Sequence, residues 1–179
     1  MPNERTFKWD LNAETDRYFD ESSESRGETP RIVIFMGGPA AGKTTLRKQR
    51  CATGYVLVDA AEIFLSLSRG ENFSFPDAFE EPMEIIGRMV AQRAVAERRH
   101  IVTELIGSDM EATTELLESM RAIGFELSGE FIKCDIEEAQ RRNLARGDDN
   151  ISCYYAEPYQ RRWLLEAARA ALEPNAQDP

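Results

Sequence analysis

The chain has 179 residues, 42% hydrophobic and 30% charged, a length and balance that suit one domain with a proper core. Its 32 Asp and Glu against 22 Lys and Arg leave a net charge of −10, which argues against a general binder of nucleic-acid backbones, whose affinity comes from many basic side chains neutralising phosphates. No apolar run approaches a membrane span or a secretory signal, and Cys51, Cys134 and Cys153 share no metal-ligand spacing, so a soluble, cytoplasmic protein with reduced thiols is expected.

Residues 1–29 form a polar, acid-rich extension in which Trp9, Leu11, Tyr18 and Phe19 are the scattered apolar positions, enough for at most one helix packing back. After a Ser- and Glu-rich linker, residues 30–179 change character and alternate strand and helix patterns. Ile32 to Met36 reads as a buried strand, and Lys43 to about Cys51 as a helix. Tyr55 to Asp59 reads as a second strand, followed by a helix through Ile63, Leu65 and Leu67 that Gly70 closes. The segment from Asn72 to Phe79 is turn-like and aromatic, and Phe73, Phe75 and Phe79 can either line a pocket or pack under a loop. A long helix follows with Ile86, Met89, Val90 and Ala94 on one face, leading to a third strand from Ile101 to Leu105. Ser108 and Glu111 form a capping box for a helix carrying Thr113, Leu117 and Met120, with Gly124 as its stop. A fourth strand is expected over Phe131 to Cys134, then Asp135 as an N-cap with Glu138 in the reciprocal position. The helix so capped carries Arg141, Arg142 and Arg146 and opens a lid around residues 140–156. A last helix begins near Pro158 and stops before Pro174.

Between the first strand and the first helix of this alternating part lies Gly37-Gly38-Pro39-Ala40-Ala41-Gly42-Lys43-Thr44-Thr45, which matches the G-x-x-x-x-G-K-[ST] phosphate-binding loop in its required strand–loop–helix context. Gly38, Pro39, Ala40, Ala41 and Gly42 let successive amides turn toward phosphate oxygens, with the positive end of the helix behind them. Lys43 supplies charge for the outer phosphates, Thr44 a hydroxyl for Mg²⁺, and Thr45 begins the helix proper. Nucleotide binding follows, with ATP and Mg²⁺ as the expected cofactors. Strands alternating with helices imply an α/β, three-layer P-loop fold with a parallel sheet of four or five strands, whose ligand sits at the strands' carboxyl ends.

That rule selects three acids that end strands: Asp59, Glu104 and Asp135. Asp59 is a candidate for accepting the proton of a substrate hydroxyl or for holding Mg²⁺ through water, and equally for a plain helix cap. Glu104 can hold a substrate hydroxyl, sit near the metal, or be a solvated strand end. Arg142 and Arg146, four residues apart on one helix face, suit a lid that brings cations over the phosphates; Arg141, Arg161 and Arg162 are weaker candidates. These parts are what γ-phosphoryl transfer requires.

The loop from Gly37 to Thr45, Asp59, Glu104 and the Arg142/Arg146 pair together resemble the P-loop kinases of the zeta-toxin type, over roughly residues 31–147. The resemblance implies a fold like that of nucleoside monophosphate kinases with strand order 2-3-1-4-5, transfer of phosphate from ATP to UDP-N-acetylglucosamine, and an antitoxin partner. The sequence departs from the pattern at three points. Asp59-Ala60-Ala61-Glu62 stands where relatives carry an Asp-x-Asp, so the base is Asp59 or Glu62, or is absent. Leu105-Ile106-Gly107-Ser108 stands where relatives carry a substrate-contacting arginine, and no fifth strand is evident after the lid. A kinase with another hydroxyl acceptor and a catalytically weak ATP-binding regulatory protein are the rival readings. A GTPase is disfavoured by the absence of Asn-Lys-x-Asp and Asp-x-x-Gly motifs. Neither nucleic acid nor a membrane is an expected partner.

Overall fold

The computed structural model describes residues 8–19, 27–69, 79–105 and 110–145. Four parallel strands, β1 (Arg31–Met36), β2 (Val56–Val58), β3 (Ile101–Leu105) and β4 (Glu126–Phe131), lie in the order β2-β3-β1-β4. This is the 2-3-1-4 part of the expected order, and every crossover is helical, as parallel neighbours require. The helices are α1 (Leu11–Asp16), α2 (Lys43–Arg50), α3 (Ala60–Ser68), α4 (Glu80–Ala96), α5 (Met110–Ala122) and α6 (Ile136–Leu144).

The alternation of strand side chains divides the core between two layers. Ile32, Ile34 and Met36 join Ile63, Leu67, Ile86, Val90, Ala94 and Leu117 on one face of the sheet, while Phe35 and Val102 meet Cys51 and Leu46 on the other. The stripe read on the long helix is therefore its buried face, with Met89 only partly covered. Phe79 is fully buried, edge-on to both Trp9 at 4.9 Å and Phe64 at 5.5 Å. It is core; Phe73 and Phe75 lie outside the described residues, as do the Ser108 cap and the helix from Pro158.

The expected helix in the extension is α1, capped by Asp10, packed on α4 and tied to α3 by the Ser66 hydroxyl, which donates to Glu14 at 2.9 Å. Trp9 Nε1 donates to the Leu67 carbonyl at 3.2 Å, Asp16 pairs with Arg93 at 2.6 Å, and the Arg93 guanidinium lies 4.0 Å over the Phe19 ring. Burial raises the Tyr18 phenol to about 12, in a setting that includes the acids Glu14, Glu62 and Asp59.

Two expectations change. The fourth strand runs over Glu126–Phe131, not Phe131 to Cys134, because its partner β1 pairs from Arg31 to Met36 and reaches only to Phe131. The exposed Arg31–Glu126 ion pair at 3.0 Å marks one end of that register. Asp135 does cap α6, accepting the amides of Glu137 and Glu138, but the Glu138 side chain turns away from a capping box to bind Arg141 and Arg142.

Candidate active site

The loop between β1 and α2 is pinned at its root: the Gly37 amide donates to Leu105 O at 3.3 Å and the Ile132 amide to Met36 O at 2.7 Å. A Cβ on Gly37 would stand 3.0 Å from the Ile132 carbonyl oxygen, so the close approach of β4's continuation requires glycine there. Gly42, at φ 105°, adopts the left-handed turn that starts α2. Lys43 is buried and its Nζ donates to Gly37 O at 2.9 Å and Gly38 O at 3.0 Å, so the ammonium spans the loop's mouth. Thr44 and Thr45 are exposed on the first turn of α2.

One turn further along α2, Arg47 is 6% exposed and ties three elements together. Its Nε donates to Glu104 Oε1 at 2.7 Å and its terminal nitrogen to Glu62 Oε1 at 3.0 Å. The other oxygen of Glu104, Oε2, accepts the Thr44 hydroxyl at 3.0 Å. Glu104 is thus a buried partner of Thr44 and Arg47, not a solvated strand end. Arg47 was absent from the sequence-based candidates, although its spacing of i+3 from Thr44 and i+4 from Lys43 puts it on their helix face.

Asp59, 8% exposed, ends β2 and caps α3: Oδ1 accepts the amides of Ala61 at 2.7 Å and Glu62 at 3.0 Å. Both bonds go to one oxygen, which leaves Oδ2 outside the cap. Burial pushes the Asp59 carboxyl above the ordinary value of 3.8 and the charge of Glu104 adds to this, against the lowering effect of the two amides. Asp59 also walls a cleft of about 460 Å³ between α3 and α4, in which Val58, Ile63 and Met83 supply apolar surface and Glu80, Glu84 and Arg88 charge.

The carboxyl edge of the sheet therefore gathers Lys43, Thr44, Asp59, Glu62 and Glu104, with Arg47 joining Glu62 to Glu104. It does not gather Asp135, which is exposed and follows β4 by four residues. Arg142 is exposed, bound to Glu138 at 2.6 Å and facing Cys134 Sγ at 3.8 Å. Arg146 and the lid beyond residue 145 lie outside the described residues. The donor set suits a phosphate-bound Mg²⁺, which takes one or two protein oxygens: the Thr44 hydroxyl and Glu104 carboxylate are already adjacent. No group of three or more metal-ligating side chains occurs among the described residues.

No family model and no curated protein matches the sequence. Solved structures do. One from the PezAT chromosomal toxin-antitoxin system of Streptococcus pneumoniae matches with a TM-score of 0.63 and 13% identity, over 90% of this chain and 67% of that one. A chain of the Pnkp1/Rnl/Hen1 RNA repair complex matches with a TM-score of 0.60 and 17% identity, over 87% of this chain and 52% of that one. A kinase candidate from Chloroflexus aurantiacus matches with a TM-score of 0.51 and 19% identity, over 67% of this chain and 68% of that one. The chain spans about half the length of the repair-complex protein it matches. At these identities the likeness carries architecture and not substrate. The chain shares the fold of these structures: an α/β domain with a four-stranded parallel sheet flanked by helices and a glycine-rich loop between β1 and α2.

Proposed function

We propose that the protein is an ATP- and Mg²⁺-dependent kinase that transfers the γ-phosphoryl group to a hydroxyl of a small molecule. What supports this reading is Asp59, which follows β2 at the same edge of the sheet as Glu104 and walls the cleft between α3 and α4.

The loop amides and Lys43 bind the phosphates, with the Lys43 ammonium leaving the Gly37 and Gly38 carbonyls for phosphate oxygens. Thr44 and Glu104 are the oxygens that would hold Mg²⁺, and Arg47 fixes the Glu104 carboxylate in the required rotamer. When bound, nucleotide and metal supply the phosphoryl group and neutralise its charge. Asp59 Oδ2 accepts the proton of the acceptor hydroxyl as that oxygen bonds to the γ-phosphorus and the bond to the β-phosphate oxygen breaks; ADP leaves, and the proton passes to solvent. Arg142 and Arg146 are the cations that lid closure brings over the transferred group. Glu62, tied to Arg47, is the second carboxylate we assign to contact with the acceptor.

The resemblance puts UDP-N-acetylglucosamine first among acceptors and an antitoxin protein among the partners, and the cysteine usage and hydropathy support the cytoplasm as the place of action. No helix among the described residues is long and apolar enough to cross a membrane. The test is transfer of labelled γ-phosphate from ATP with Mg²⁺ to a panel of hydroxyl compounds, beside Lys43→Ala as the blank. Label on an acceptor with the native chain and none with the variant is the expected result. ATP binding without turnover on any acceptor would instead support a regulatory nucleotide-binding protein, a reading favoured by the engagement of Glu62 with Arg47 where Ala61 has replaced an acid.

A further inference from the structure

The N-terminal helix touches particular stretches of α3 and α4, and their place relative to the cleft decides what it does. Along α3 and its cap, Asp59, Ala60 and Ile63 line the cleft, while Ser66 and Leu67 come one turn after it. The order along α4 is the same: Glu80, Met83 and Glu84 line the cleft, and Met89 and Arg93 lie beyond it. Between these levels the two helices meet, since a Cβ on Gly87 would stand 3.5 Å from Ile63 Cδ1. α1 binds the far stretch of both. On α3, the Ser66 hydroxyl donates to Glu14 Oε2 at 2.9 Å and the Trp9 indole to Leu67 O at 3.2 Å. Arg17 closes the first contact into a triangle, donating to Glu14 at 3.0 Å and to Ser66 Oγ at 3.2 Å. On α4, Arg93 pairs with Asp16 and lies over the Phe19 ring, and the Thr15 hydroxyl faces Met89 Sδ at 3.9 Å.

Packing of Trp9, Leu11, Tyr18 and Phe19 against the core makes α1 adhere, but apolar burial has no direction. The hydrogen bonds and the ion pair do have direction, and they go to two helices at once. Two rods that touch at one level and are tied together beyond it cannot part on the near side unless the tie gives. α3 is only about 14 Å long at 1.5 Å per residue, with Ile63 near its middle, so a displacement at Ser66 returns at Asp59 with similar size. We propose that α1 is a brace that sets the opening of the cleft between α3 and α4, with Glu14 and Arg93 as its positioning residues. The extension then acts on Asp59 and Glu62 through the helix that carries them. That the cleft takes the acceptor rests on the kinase reading; that α1 sets its width does not.

The test measures the cleft itself in the full chain. Nitroxides carried on p-acetylphenylalanine at the exposed positions Ala61 and Glu81 report the separation of the two helix ends by pulsed electron paramagnetic resonance, and a pair at Lys48 and Arg121 is the control. Glu14→Ala and Arg93→Ala should each shift or widen the first distribution by about 1–2 Å, the scale of helix shifts in packed domains, and leave the control pair alone. A brace fails when either end is freed, so the double variant should move no further than the larger single one, whereas independent structural losses add. Ser66→Ala, which keeps every charge, takes the place of Glu14→Ala if that chain fails to fold. Once the labelled-phosphate panel names an acceptor, its KM should rise by about threefold or more in the single variants, with the KM for ATP unchanged. An unmoved distance in the single variants, or a double variant that moves by the sum of the two, would overturn the brace. A moved distance with an unaltered acceptor KM, or with no acceptor turned over at all, would leave the brace standing and overturn the reading of the cleft as the acceptor site, so the two fail separately.

Discussion

Arg47→Met removes the guanidinium that joins α2 to Glu104 and Glu62 while keeping an unbranched apolar stem in its place. Glu104 has a side chain only 8% exposed and sits 2.7 Å from Arg47 Nε, so the substitution leaves a buried carboxylate with only the Thr44 hydroxyl as a partner. Breaking one side of a buried pair costs about 3–5 kcal/mol, against a total stability of about 5–15 kcal/mol. For a chain of this length, about 2–4 °C per kcal/mol turns that into a fall in melting temperature of about 6–20 °C. Glu104→Gln alone should cost less, about 1–2 kcal/mol, because Arg47 keeps Glu62 at 3.0 Å. The double variant removes the stranded charge, so it should recover at least about 2 kcal/mol of the single Arg47 loss. Urea unfolding of the four proteins closes the cycle. A loss below about 1 kcal/mol for Arg47→Met, or a double variant no more stable than that single one, would show that Arg47 is solvated and that the link drawn between helix and strand is wrong.

The remaining expectations need shorter statement. Lys43→Ala should weaken ATP binding by about tenfold or more, since it removes the one cation of the loop, and undiminished affinity by calorimetry would take Lys43 out of the phosphate site. Asp59→Asn should keep the α3 cap, because Asn is as good an N-cap as Asp, and should abolish phosphoryl transfer; unchanged turnover would exclude Asp59 as the base. The same variant has a pH signature. The folded Asp59 carboxyl titrates above 3.8, so between that value and the raised one the folded chain holds a proton that the unfolded chain has released. Its contribution therefore makes stability fall as pH rises through that window, and this part of the slope should vanish in Asp59→Asn, as chemical unfolding at several pH values would reveal. Trp9→Ala strips the edge contact with Phe79 and the bond to Leu67 O, at about 2–3 kcal/mol for a half-buried ring. A melting temperature within 1–2 °C of the native one, under the shift expected for about 1 kcal/mol, would mean that the extension is not part of the folded unit.

The phosphate loop was legible because its chemistry dictates residue type: glycine at the close approach to Ile132 O, an amine to span the mouth, a hydroxyl on the first turn. The buried strands β1 and β3 were legible for a different reason, since only continuous apolar runs suit positions covered on both faces. β4 escaped because Glu126 to Glu130 is mostly polar and half-exposed at the margin of the sheet, while the apolar pair Phe131 and Ile132 comes only at the strand's end. There the pairing with β1, a long-range fact, overrides local pattern. Glu104 was singled out from its place near a strand end, but its partner Arg47 sits in a helix rich in Arg and Lys, where only its spacing from Lys43 and Thr44 marks the guanidinium that turns inward. For Asp59 the helix-cap reading is the one the structure shows, and it uses a single oxygen of the carboxylate.

The position of Lys43 has a kinetic consequence. With its ammonium held by the Gly37 and Gly38 carbonyls, the loop keeps its curl through its own side chain, so an arriving nucleotide meets a finished receptor. What must change is one side chain's set of hydrogen bonds, a motion of the kind completed in picoseconds to nanoseconds for accessible side chains. Diffusion and orientation should then govern capture, at about 10⁵–10⁷ M⁻¹s⁻¹, and variants of the loop should alter how long the nucleotide stays far more than how fast it arrives.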